Sequence, residues 1–190
     1  MQQITDKLTV LNPGDQFPTM TTDCVKIFLA GTLAQNVDWQ SAFINGVAEL
    51  TDPLKGILMF KNTNFMIINP NVPAQTGLEP GHELENPEFC QKIQWCMQMQ
   101  DMADVVLINI MGKSKAMQPI LDFGANFRTR KAIVRCGEAH PMYPYIRLYC
   151  EKYAVPLLNG SANVKDILLT MGSFVSKFQT QQPEQAPLPA

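Results

Sequence analysis

No charge of one sign dominates this chain. Its 17 Asp and Glu against 15 Lys and Arg leave a net charge of -2 over 190 residues, so there is no basic field for a nucleic-acid backbone and no duplex nucleic acid is expected as a partner. Long apolar runs are missing too. No stretch approaches the roughly 18 apolar residues of a membrane span, and the opening MQQITDKLTV lacks the basic-then-apolar order of a signal peptide, so no membrane association is expected. Cys24, Cys90, Cys96, Cys136 and Cys150 are an odd number without a CxxC spacing. That suits reduced thiols in a cytosol rather than a disulfide framework, and the expected location is cytoplasmic. The two histidines, His82 and His140, have no metal-ligand spacing, so no metal site is expected.

What is present is alternation. Hydrophobic residues make up 46% and charged residues 17%, within the range of globular domains. The length suits one α/β domain with tails. That domain is expected over 25–178, after an N-terminal stretch over 1–24 that is either an edge hairpin or an arm, and before a disordered tail over 179–190.

The segment from Phe89 to Phe127 organises the rest. It opens as an amphipathic helix with Ile93, Met97 and Met102 at helical spacing, then becomes an uninterrupted apolar run, Val105 to Ile110. A short run of that kind reads as a strand buried on both faces. After a loop over 112–117, Pro119 suits the first turn of a second helix, and Asp122 is expected in that same turn. A carboxylate is thus expected at a helix N-terminus beyond the carboxyl end of a parallel strand, where open α/β sheets hold ligands.

Further strands are expected at Val25–Ala30, at Lys131–Cys136 and at Ala154–Leu158, while Gly56–Phe60 and Asn64–Asn69, around a polar 61–63, are either a hairpin or one strand preceded by a loop. Helices are expected at Trp39–Leu50 behind an Asp38 cap, within 141–153, and over 164–178. Residues 72–87, rich in Pro, Gly and Glu, read as a long active-site or interface loop. The result is a three-layer α/β fold with a parallel sheet of about five strands.

Residue type alone leaves the roles open. Asp122 is equally a first-turn acid complementing the helix dipole, Cys96 a small packing residue, and Asp104 an acid at the start of a strand. Trp39 and Trp95 suit either the core or stacking on a base.

The motifs add to this. KIFLAGT over 26–32, Asp38-Trp39, INPN over 68–71, IQWC over 93–96, Ala103-Asp104, DFG over 122–124 and YCEKYAVPLLN over 149–159 stand in one order along the chain. In that order and at that spacing they resemble the nucleoside 2-deoxyribosyltransferase-like family, particularly its phage and bacterial branch. The resemblance implies a flavodoxin-like or Rossmann-like fold, a homo-oligomer with sites completed near subunit interfaces, and no cofactor. It implies a small-molecule nucleoside or nucleotide partner, and either transfer of a 2-deoxyribosyl group between bases or hydrolysis of an N-glycosidic bond. Such chemistry needs a carboxylate on one face of the sugar and a proton or hydrogen bond for the departing base.

By this resemblance Asp122 takes the place of the family's nucleophilic Glu, and Cys96 falls on its second acid, with Asp104 beside it near the base. Gly31, Thr32, Trp39, Asn69, Trp95 and Gly124 would surround the ligand, while Asn71 and Val72 occupy two Arg positions. Those substitutions leave a second expectation: a catalytically altered member that holds a nucleotide-like ligand or a partner protein without turnover.

Overall fold

The computed structural model of the protein describes residues 1–18, 24–31, 38–57, 60, 63–70, 85–111 and 117–179. Seven strands form one sheet: β1 (Gln2–Thr5), β2 (Leu8–Leu11), β3 (Cys24–Gly31), β4 (Asn64–Ile68), β5 (Val105–Ile110), β6 (Ala132–Cys136) and β7 (Leu157–Asn159). Five helices accompany them among the described residues: α1 (Trp39–Thr51), α2 (Pro87–Met102), α3 (Gln118–Asn126), α4 (Tyr143–Tyr153) and α5 (Val164–Gln179).

The sheet is built outward from β5, all six of whose residues are buried. Strands β3 and β6 flank it in parallel, β4 lies beyond β3, and β7 lies beyond β6. Counted from β3, these five strands run in the order 2-1-3-4-5, the doubly wound order of flavodoxin-like proteins. Two more strands extend the sheet past the expected five. The N-terminal stretch is a hairpin: β1 pairs antiparallel with β2, and β2 pairs parallel with β4. Leu8, Val10 and Leu11 of that hairpin are buried in the core.

Side chains alternate between the two faces, as the period of a strand requires. Leu29, Leu107 and Ile133 pack with Phe43 and Val47 of α1 and Leu168 of α5. Phe28, Ile108 and Val134 pack on the other face with Met99 of α2, Phe123 of α3 and Ile146 of α4. The three layers therefore enclose two cores, one on each side of β5.

Helix starts follow local chemistry. Asp38 caps α1 by accepting from the Ser41 N–H at 2.9 Å. Asn86 caps α2 by accepting from the N–H groups of Glu88 and Phe89, with Pro87 in the first turn. Of the two readings of 56–69, a hairpin or a strand preceded by a loop, the described residues fit the second. In the described part of Gly56–Phe60 the chain folds back on the end of α1, with Gly56 N–H donating to Asp52 O at 2.9 Å and Ile57 N–H to Leu50 O at 3.0 Å. A Cβ at Gly56 would lie 2.3 Å from the Leu50 carbonyl oxygen, so only glycine allows that closure. Phe60 is buried edge-on to Phe65, ring centroids 6.4 Å apart.

Among the described residues no helix is long and apolar enough to cross a membrane. Thr32, Asn71 and Val72, most of the long 72–87 loop, and residues 180–190 lie outside the described residues.

Candidate functional site

Strand order reverses between β3 and β5, and in doubly wound sheets the crevice above the carboxyl ends at that point is where ligands sit. A cavity of about 580 Å³ lies there, a volume within the range of small-molecule sites. Its floor is Phe28, Ala30 and Gly31 at the end of β3. Its walls include Lys92, Cys96 and Gln100 of α2, and Gln118 and Asp122 of α3, with Gln40 of α1 and Pro70 completing it.

Gly31 holds the floor open. Its φ is +140°, and a Cβ there would lie 2.6 Å from the Asn109 carbonyl oxygen and 3.1 Å from the Trp39 ring. Only a residue without a side chain passes between β5 and α1 at that point.

Asp122 is 6% exposed on α3. Gln100 donates from Nε2 to its Oδ1 at 2.9 Å, and Gln118 donates to the same oxygen at 3.2 Å. Asn126 orders this arrangement: its Nδ2 donates to Gln100 Oε1 at 2.7 Å and to the Asp122 carbonyl at 2.9 Å. With Gln100 Oε1 taken by Asn126, the other end of that amide must be a donor toward the acid. Both amides converge on Oδ1, and Oδ2 makes no hydrogen bond among the described residues.

One expectation about this acid is corrected. The helix begins at Gln118, so Asp122 is its fifth residue, and the first turn holds no acid. The dipole of a helix end acts mainly within its first turn, and it does not set the charge state here. Burial pushes the Asp122 carboxyl above its usual value of 3.8, and the hydrogen bonds from Gln100 and Gln118 offset only part of that. Replacing Gln100 by Leu is therefore expected to raise it further. The titration of the Asp122 carboxyl, followed by NMR, should move to higher pH in Gln100→Leu, and Asn126→Leu, which frees Gln100 to rotate, should move it in the same direction.

Cys96 stands across the α2 wall and is half-buried. Burial pushes its thiol up to about 11, with Lys92 pulling it down and Asp122 pushing it up. It is a protonated thiol at neutral pH and not a charged group. Alkylation of Cys96 at pH 7, followed by peptide mass spectrometry, should run about a hundredfold slower than that of a free cysteine.

The other residues singled out by sequence divide. Trp39 is 8% exposed in the α1-side core, packed behind Gly31 rather than on the wall. Asn69 is buried with its N–H bonded to Leu11 O at 2.8 Å, one residue before the wall residue Pro70. Trp95 turns aside, its Nε1–H donating to the Asp15 carbonyl at 3.2 Å, and so ties α2 to the segment after β2. Asp104 sits at the opposite end of β5 from the cavity. There its Oδ2 accepts from the Lys26 N–H at 2.8 Å and its Oδ1 pairs with Lys26 Nζ at 3.7 Å, which fixes the start of the β3–β5 pairing. A side chain at Gly124 would meet nothing within 4 Å, so that glycine is not required by close packing.

Gln40, Lys92, Gln100, Gln118 and Asn126 were not anticipated. Helical spacing carried a signal for most of them: Lys92, Cys96 and Gln100 recur every four residues on α2, as do Gln118, Asp122 and Asn126 on α3. Behind α3, Phe123 and Phe127 pack against Tyr149 and Tyr153 of α4, and Arg128 lies over the Phe127 and Tyr153 rings. That aromatic cluster fixes the helix that carries the acid. No group of three His, Cys, Asp or Glu among the described residues is arranged to hold a metal.

The family model described as nucleoside 2-deoxyribosyltransferase like matches residues 24–140. The match starts with β3, ends beyond β6, and contains Gly31, Cys96 and Asp122. Comparison with curated proteins gives no match.

Proposed function

The chain belongs to the nucleoside 2-deoxyribosyltransferase-like family, and from that premise we propose that it acts on the N-glycosidic bond of a deoxynucleoside or its 5'-monophosphate, with Asp122 as nucleophile. The observation that carries this reading is a buried carboxylate with one oxygen held by two amides and the other, Oδ2, without a hydrogen bond among the described residues, beside a cavity large enough for a nucleoside. In the first step a bond forms between Oδ2 and the anomeric carbon of the sugar. The bond from that carbon to the base nitrogen breaks, and its electron pair leaves with the base, which takes a proton. In the second step an acceptor base or a water attacks the same carbon and releases the carboxylate.

The remaining residues are assigned by chemistry. Desolvation makes the Asp122 carboxylate a stronger nucleophile once ionised, at the cost of needing a higher pH to ionise. The protonated Cys96 thiol offers a weak S–H donor toward the base, and Lys92 puts a positive charge on the wall for an anionic ligand. The protein works as a homo-oligomer in this reading. Met97 and Leu121, 61% and 63% exposed at the cavity wall, suit contact with a second copy. Sedimentation equilibrium returning a monomer at micromolar concentration would remove that element.

The test of activity is direct. The protein is incubated with each deoxynucleoside and each monophosphate, with and without an acceptor base, and base release and exchange are followed by chromatography. Neither release nor exchange from any of them would remove the enzymatic reading.

A second reading, ligand binding without turnover, is favoured by one observation. Asp122 is the single carboxylate among the described wall residues, and the position of the family's second acid holds a protonated thiol. The double variant Cys96→Glu, Asp122→Glu separates the two. A silent wild type that gains activity in the double variant supports the binding reading; an active wild type supports the enzyme.

A further inference from the structure

Gln40 is the second residue of α1, is 2% exposed, and contributes to the wall of the cavity that holds Asp122. Three buried side-chain atoms lack a hydrogen-bond partner among the described residues: Gln40 Oε1, Asn109 Nδ2 and Arg135 Nε. Of these residues, Gln40 alone lies on the cavity wall. Leaving an amide oxygen buried and unpaired is costly to a fold, and a methionine or leucine of similar volume would avoid that cost. Among the described residues nothing around α1 pairs with the Gln40 oxygen. The cap of α1 is made by Asp38, and its apolar face by Phe43, Ile44 and Val47.

We propose that Gln40 determines specificity: its Oε1, on the wall shared with Asp122, accepts a hydrogen bond from an N–H or O–H donor that the ligand brings into the cavity. The inference rests on the cavity taking a deoxynucleoside. On such a ligand the donor is a sugar hydroxyl or an exocyclic amino group of the base. A neutral amide suits a neutral donor, because a buried charged acceptor would need a countercharge. A site built around a hydrogen bond of this kind rejects the analogue that lacks the donor, because the protein's acceptor is then left unpaired.

The experiment is a cycle of ligand pairs against protein pairs, measured by calorimetry on the Asp122→Asn protein so that no ligand is consumed. The purine pairs are 2'-deoxyadenosine against the unsubstituted purine 2'-deoxyriboside, which lacks the amino group, and against 2',3'-dideoxyadenosine, which lacks the 3'-hydroxyl. Thymidine against 3'-deoxythymidine, and 2'-deoxycytidine against its 4-deamino analogue, repeat the comparison for pyrimidines. Each nucleoside is also used as its 5'-monophosphate.

With Gln40 present, one class of donor deletion, amino or hydroxyl, should weaken binding by about tenfold or more. With Gln40→Met that ratio should fall to near one, while the ligand-free Gln40→Met protein melts at an equal or higher temperature. Equal ratios with and without Gln40 would overturn the inference and leave the glycosidic reading standing. Loss of fold in both Gln40→Met and Gln40→Leu would also overturn it, since the amide would then be structural. Failure of the Gln40-bearing protein to bind any of these ligands would overturn both.

Discussion

Asp122→Asn is expected to lower the rate of base release by at least about a thousandfold, and to raise the melting temperature at neutral pH. The two effects share one cause. The carboxylate is buried on α3 beside the cavity, where the ionised form, the one the proposed attack requires, is the form the surroundings disfavour. Asparagine keeps the shape, and its Oδ1 still accepts from Gln100 and Gln118, so the network with Asn126 survives. What it loses is the negative oxygen that the proposed first step needs.

The sign of the stability effect follows from linkage. Because the folded protein holds this proton more tightly than the unfolded chain, the group's stabilising contribution is fully present below 3.8 and is lost as pH rises through its raised folded value. Above that window the wild type carries a buried charge that the asparagine variant lacks. The melting difference should therefore vanish in acid and be largest at neutral pH. Activity of the wild type should rise across the same window as the acid ionises. An Asp122→Asn protein retaining more than a tenth of the wild-type rate would show that another group attacks.

Gly31→Ala is expected to destabilise the fold by about 2–4 kcal/mol, a large effect for a single methyl group. Its methyl would stand 2.6 Å from a backbone oxygen of β5 and 3.1 Å from the Trp39 ring. Neither neighbour is the loose end of a flexible chain, since Asn109 lies in the sheet and is fully buried and Trp39 is 8% exposed. The φ of +140° adds a conformation that alanine resists. Gly124→Ala provides the control. It lies on α3 with open space around its Cα, and should leave stability unchanged or raise it by about 0.5–1 kcal/mol through helix propensity. Urea midpoints of the two variants read the contrast, and similar midpoints would contradict it.

The parts of the fold that the sequence revealed are those where one local signal sufficed. The apolar run at β5 has no alternative to double burial, and Asp38 before Trp39 marks the start of α1 by its own hydrogen bond. For the N-terminal stretch the sequence left an edge hairpin and an arm both open, because four residues each in β1 and β2 give too short an alternation to decide. At Gly56–Phe60 the sequence left a hairpin strand and a loop both open, because a short apolar run does not distinguish a strand from a buried turn. Its true form depends on Gly56 fitting under the end of α1.

Of the residues around the cavity, the sequence pointed to Asp122, Cys96 and Gly31 and to few of their neighbours. Trp95 and Cys96 are adjacent on α2, so they point about 100° apart. With Cys96 on the cavity, Trp95 is turned to Asp15. The glutamines carried a periodic signal, yet a glutamine on a helix is ordinarily solvated. Only the tertiary approach of α2 to α3 makes Gln100, Gln118 and Asn126 a clamp on one carboxylate. The start of α3 after Met117, with Pro119 in its first turn, is as the sequence reads, but Asp122 is the fifth residue and lies just past that turn, where burial and not the helix end sets its charge state.

The most direct measurement is mass spectrometry of the protein quenched in acid while it turns over a deoxynucleoside, with the peptide that spans α3 sequenced. A deoxyribosyl group esterified to Asp122, absent from the Asp122→Asn protein, is the expected result. Free base accumulating at an undiminished rate in Asp122→Asn, with no sugar on any peptide of the wild type, would contradict it.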